Sequence, residues 1–157
     1  MRVATSEGAR RVQAILGENY RVLEFEESTH TSAEAAAAIG CEVARIAKSM
    51  IFRAADGTPV LIVASGTNRV DERRVAALLG QKIARADPEF VLLHTGFAVG
   101  GVPPVGHATA PVIWLDKDLR HFDTIWAAAG SPNAVFELSP DELRRLTGAG
   151  FAEIAKR

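Results

Sequence analysis

Residues 48–64 read KSMIFRAADGTPVLIVA. Two apolar runs flank Asp56-Gly57, a dipeptide suited to the left-handed backbone of a tight turn, so the stretch predicts a β-hairpin. In the first run, alternation places Lys48, Met50 and Phe52 on one face and Ser49, Ile51 and Arg53 on the other. The second run, VLIVA, is uninterrupted and reads as a buried strand.

Helices are predicted on both sides of the hairpin from their end signals. Ser6 caps a helix to about Leu16 that Gly17 stops. Thr31-Ser32-Ala33-Glu34 has the capping-box pattern, in which Glu34 reaches back to the Thr31 N–H, and that helix runs to Ile39 before Gly40. Asp71 caps a helix to Leu79, ended by Gly80. Asp87-Pro88 and Ser139-Pro140 each place a cap before a first-turn proline, and Gly96 and Gly148 close those two helices. Residues 42–47 read as a further short helical piece. Strands are expected at residues 20–26, 82–86, 111–115, 124–128 and 134–138. Helices and strands are mixed without regular alternation, which argues against a doubly wound nucleotide-binding sheet. The expected fold class is α+β, with a mixed, partly antiparallel sheet flanked by helices.

The bulk numbers bound the function. A chain of 157 residues suits one domain, residues 1–157, with a real core. A net charge of −1 argues against binding nucleic acid by bulk electrostatics, and leaves room for a local basic patch. The single Cys41 fits a reducing cytosol, and the N-terminal sequence lacks the pattern of a secretory leader, so a cytoplasmic protein is expected. No apolar run approaches the roughly 18 residues of a membrane span. His30, His94, His107 and His121 show no metal-ligand spacing, and neither a metal nor a cofactor is expected.

Three features offer chemistry. Lys48 sits at the edge of a strand whose face carries Met50 and Phe52; it either lines a pocket or runs its stem to solvent. Residues 97–107, FAVGGVPPVGH, lack the lysine of a phosphate loop and the spacing of a dinucleotide fingerprint. That loop is either a rigid connection or a wall whose backbone N–H groups hold a carbonyl oxygen. Residues 65–69, SGTNR, end the VLIVA strand and either line a site or cap themselves.

Four stretches then fall into order: THTSAEAAAAIGCEVARIAKSMIF, VLIVASGTNRVD, GFAVGGVPPVGH and WAAAGSPNAVFELSPDELRRLTG. Together they resemble the YbaK/ProX family of aminoacyl-tRNA editing domains, over about residues 10–148. The resemblance implies a sheet curled toward a barrel and one pocket. It implies hydrolysis of the ester that joins a wrong amino acid to the tRNA 3′ end, with Cys, Ala or another small residue on proline tRNA as the expected substrate. The family's lysine falls on Lys48, and its glycine-rich loop on Gly100, Gly101 and Pro103. His30, Thr31, Ser65, Gly66, Asn68 and Arg69 are implied as lining, and the turn Gly130-Ser131 as a closure. Phe52, on the Lys48 face, and Val102, inside the loop, complete the candidate substrate-binding set. Some deacylases of the family carry an acidic residue in the late strand, where this chain has Asn133-Ala134-Val135-Phe136. The expected partners are the 3′ end of mischarged tRNA and a synthetase that recruits the protein, with no DNA and no membrane. The competing reading is a non-catalytic module that binds an aminoacyl-adenosine-like ligand or a synthetase.

Overall fold

The computed structural model describes residues 1–26 and 31–157. Along the chain these form β1 (Arg2–Val3), α1 (Glu7–Leu16), β2 (Leu23–Glu24), α2 (Ser32–Ile39), β3 (Ile46–Ala54), β4 (Pro59–Ser65) and α3 (Glu72–Leu79). There follow β5 (Ile83–Arg85), α4 (Pro88–Thr95), β6 (Val112–Asp116), β7 (Ile125–Ala128), β8 (Ala134–Leu138), α5 (Pro140–Thr147) and β9 (Gly150–Ala152). Short 3-10 turns occupy Val43–Arg45 and Lys117–His121.

The helix end signals act as expected. Ser6, Thr31, Asp71, Asp87 and Ser139 each accept a first-turn N–H. The full reciprocal capping box forms at Ser139, where the Glu142 carboxylate accepts the Ser139 N–H at 2.9 Å. At Thr31 the Glu34 carboxylate accepts from the threonine hydroxyl, at 3.2 Å. Each helix in this set gains about 1 kcal/mol from its cap.

Two boundaries differ from the sequence reading. The strand expected over residues 20–26 shrinks to Leu23–Glu24, because only those two residues pair with β8 before the Phe25 N–H turns to the Asn133 carbonyl. The helical piece expected over residues 42–47 is the single turn Val43–Arg45. Ile46 and Ala47 join β3 because they pair with Trp126 and Ala127 of β7 and bury their side chains. The strands β1 and β9 and the turn Lys117–His121 carry too few residues to show a period.

The sheet runs β1-β2-β8-β7-β3-β4-β6-β9, with β5 on the β7 side of β3. It is mixed: β3 pairs antiparallel with β4, whereas β3–β7, β4–β6 and β6–β9 are parallel. Its two ends do not pair with each other, so the path stays unclosed. The VLIVA run is fully buried, and its side chains alternate between two cores. Leu61 and Val63 pack with α1, α4 and α5 through Val12, Val91 and Leu143; Val60, Ile62 and Ala64 pack with α3 through Val75. Burying each such aliphatic side chain contributes about 1.5–3 kcal/mol, which makes β4 the strongest single anchor of the fold. No helix among the described residues is long and apolar enough to cross a membrane.

One irregularity positions the site. On the β4 side, β3 is paired without interruption from Ala47 to Arg53. On its other side it pairs with β7 at Ile46 and Ala47, and with β5 only from Phe52 to Ala54. Between them, at Lys48, Ser49 and Met50, the sheet has a gap among the described residues. Ladder bonds alternate sides along a strand. The Ala54 N–H donates toward β4 and the Ile51 carbonyl accepts from Ala86 on the far side, so the Ser49 N–H and C=O point into the gap.

Candidate active site

A cavity of about 500 Å³ opens at this gap. Because no strand among the described residues fills the break, the cavity draws its lining from both faces of the sheet. On one face it meets Ala47, Ile51, Val91, Val102, Ala127 and Ala134, all members of the α1–α4–α5 core. On the other it meets Lys48, Arg85 and, from the start of α2, Thr31 and Ser32. One half is therefore largely apolar, and the other sets the cations Lys48 and Arg85 and the hydroxyls of Thr31 and Ser32 beside Ile46, Met50 and Trp126. Ser49 is the polar side chain of the apolar half, and its hydroxyl is buried with no hydrogen-bond partner among the described residues.

Lys48 is half-buried and makes no ion pair among the described residues. Burial pushes its pKa below the ordinary lysine value, the nearby Arg85 guanidinium adds to that shift, and Asp116 opposes it. An ammonium in this position gains most from an anion or carbonyl that enters the cavity. No Asp, Glu or His lines the cavity among the described residues.

The glycine-rich loop contributes a wall, by a different route from the one its composition suggested. Gly100, at φ 92°, lines the cavity together with Val99 and Val102. Gly101 does not. Its N–H donates to the Ala98 carbonyl at 3.1 Å and its carbonyl accepts the Gly130 N–H at 2.8 Å, so its backbone is already engaged. A Cβ on Gly101 would lie 2.7 Å from the Ser131 Cα. Glycine is needed there for close backbone packing, and not as an oxyanion donor. Gly130 and Ser131 likewise sit behind the wall, which they brace, while their neighbour Pro132 reaches the cavity. A Cβ on Gly8, at the start of α1, would overlap the Gly130 carbonyl, so α1, the 130–131 turn and the loop meet backbone to backbone. Pro103 is buried, and its carbonyl accepts His107 Nε2–H at 2.7 Å, which ties the loop exit to itself. Burial pushes the His107 pKa down, and the Pro103 bond opposes that.

The remaining expectations separate. Thr31 and Val102 line the cavity. Phe52 is buried in the α3 core, past the break. Residues 65–69 close on themselves and on the end of β6. The Ser65 hydroxyl donates to the Ala44 carbonyl at 2.6 Å and its N–H to Asp116 Oδ2 at 3.0 Å. Asn68 donates to Asp116 and Asp118, both at 2.8 Å. Gly66 packs against the Val43 carbonyl, and the Arg69 carbonyl accepts the Lys156 N–H. None of Ser65, Gly66, Asn68 and Arg69 lines the cavity, although the Arg69 charge is felt at Lys48. His30 lies outside the described residues. Sequence reasoning missed Ser49, Arg85, Val91 and Ala134. Ser49 was legible as the neighbour of Lys48 only if both faces of the strand shared one cavity, and nothing local announces the break.

The chain matches the aminoacyl-tRNA editing domain over residues 26–146, and it belongs to that family. YwhH of Bacillus subtilis (strain 168), an uncharacterised protein, is 42% identical over 122 residues, 78% of each chain. EbsC of Enterococcus faecalis, a proposed Cys-tRNA(Pro)/Cys-tRNA(Cys) deacylase, is 29% identical over 141 residues, 88% of this chain and 86% of its own. A crystal structure of a proposed trans-editing enzyme for prolyl-tRNA synthetase superposes with a TM-score of 0.93 at 44% identity, over 98% of this chain and all of its own.

Proposed function

We propose that the protein is a cytoplasmic trans-editing hydrolase that deacylates mischarged tRNA, with proline tRNA carrying Cys, Ala or another small amino acid as its substrate. The observation that carries this reading is the two-sided cavity: a half that holds both cations, for the RNA end, and a largely apolar half for an amino-acid side chain, joined at the break in the sheet. The ester carbonyl would sit at the join. Lys48 would hold the ribose-phosphate side as a point charge, and Gly100, with no Cβ, would let the carbonyl approach the loop backbone. Water adds to the carbonyl carbon, the bond from that carbon to the ribose oxygen breaks, and the ribose oxygen leaves with a proton. An aminoacyl ester is already activated, so positioning supplies much of the required acceleration. With no carboxylate or histidine among the described lining residues, a substrate hydroxyl or a second water takes the proton from the attacking water. Size sets the amino-acid choice only loosely, because one methylene is worth about 1–3 kcal/mol. Recruitment to tRNA by a synthetase fits the net charge of −1.

The test is deacylation of a panel of charged tRNAs by the wild type and by Lys48→Ala. At least one small-residue tRNA should be hydrolysed well above the buffer rate, and Lys48→Ala should lower kcat/KM by about 10²-fold, the scale of losing one charge-stabilising group. A wild type no faster than buffer would sink the enzyme reading and leave a binding module. A fully active Lys48→Ala would remove only the role given to Lys48.

A further inference from the structure

The lining of the cavity carries two charges among the described residues, Lys48 and Arg85, and both are positive. Neither makes an ion pair there, in a chain whose formal charge is −1. Arg85 is the last residue of β5 and pairs with Phe52 of β3. Directly paired residues share a face, and so do residues four apart on one strand, so Arg85 stands on the Lys48 side of the sheet. Four residues of strand separate the Lys48 position from the Arg85–Phe52 pair, roughly 13 Å at 3.3 Å per residue. Two long cationic side chains rooted that far apart on one face can close on an anion between them. Arg85 is exposed, so its guanidinium is not buried by the fold, and its planar fork matches two oxygens of a phosphate.

We propose that Arg85 binds a backbone phosphate of the substrate, clamping it with Lys48 beside the aminoacylated 3′ end. This rests on the deacylase reading, and it narrows the substrate: the site takes an acylated nucleic-acid end in preference to a free aminoacyl nucleoside. The ligand chemistry is a phosphodiester monoanion. The amino-acid side chain occupies the opposite half of the cavity, so Arg85 discriminates on the RNA part and not on the acyl part.

The experiment compares kcat/KM for an aminoacyl-tRNA with that for the matching 3′-O-aminoacyl adenosine, which has no phosphate, in wild type, Arg85→Gln and Arg85→Lys. The expected result is that the ratio of tRNA to nucleoside rates falls by about 10–100-fold in Arg85→Gln, the scale of a charged hydrogen bond, with partial recovery in Arg85→Lys. Inorganic phosphate as a competitor separates the sources: inhibition only far above the concentration of tRNA points to the RNA phosphate, and inhibition at matching concentrations assigns the clamp to free phosphate and overturns the proposal. An unchanged ratio in Arg85→Gln also overturns it. If the wild type hydrolyses neither substrate, the deacylase reading fails on its own. Binding of 3′-aminoacylamino analogues with and without the 5′ phosphate then decides Arg85: a phosphate-dependent affinity gap lost in Arg85→Gln supports the clamp, and no gap removes it.

Discussion

Residues 65–69 follow the buried strand β4 and residues 97–107 follow the helix α4, and both carry the small residues from which sites are made. They end in opposite roles. The first turns its polar groups inward onto Asp116, a fully buried carboxylate that takes bonds from Ser65, Asn68 and Asp118. The second has one polar side chain, His107, which bonds back to the Pro103 carbonyl, and it presents Val99, Gly100 and Val102 to the cavity. A polar loop is therefore not a site merely because it ends a buried strand. What decides is whether a buried charge elsewhere already claims its donors. For residues 65–69 that charge lies about fifty positions later in the chain.

The contrast can be broken hardest at Gly101. Gly101→Val places a side chain against the Ser131 backbone, 2.7 Å from the first atom, where nothing flexible can give way. Overpacking of this kind costs about 1–3 kcal/mol, and the displaced wall should lower deacylation at least about tenfold in protein that still folds. A melting curve and a single-turnover assay on the same sample measure both. Full activity at reduced stability would detach the loop from the site.

Asn68→Ala should act in the other sense. It removes two bonds to carboxylates and should cost about 1–3 kcal/mol in denaturant unfolding, while kcat/KM for charged tRNA stays at the wild-type value below the transition. A selective loss of activity at unchanged stability would return residues 65–69 to the site.

Acid gives the smallest and sharpest test. Burial pushes the Asp118 pKa up, but the bonds from Asn68 and Arg157 outweigh it and hold the group below its ordinary value of 3.8. A depressed carboxylate pKa contributes stability above the unfolded value, and that contribution is lost as pH falls through the folded one. Below about pH 4, NMR shifts of residues 65–69 should therefore move with Asp118, whereas residues 97–107 carry no carboxylate and should follow the titration of His107 instead. Simultaneous movement of the two loops would mean that they share one acid-labile unit.

The fold was legible where its determinants are local. Ser6, Asp71, Asp87 and Ser139 announce helix starts, glycines announce the stops, and Asp56-Gly57 announces the hairpin. Its actual turn spans three residues, with Ala54 bonded to Thr58 and Gly57 at φ 89°. The parallel neighbours of β3 and β4 were not legible, because each pairing joins residues far apart in the chain. The break beside Lys48 was hidden for the same reason: it is an absence of pairing that depends on where β5 and β7 stop. Lys48 and Gly100 were found through the resemblance and its motif, whereas Arg85 and Ser49 required the register.

The meeting of Gly8, Gly101 and the 130–131 turn has a consequence for how such a protein can change over generations. Three backbone segments touch there with no side chain between them, so that wall has no residue to exchange and no drift available to it. Variation in what the pocket accepts is channelled to the rest of the lining, where Val91, Ala127 and Ala134 carry side chains of adjustable volume. Divergence in amino-acid preference among proteins of this architecture should therefore be written at those three positions, with the glycine joint carried along unaltered.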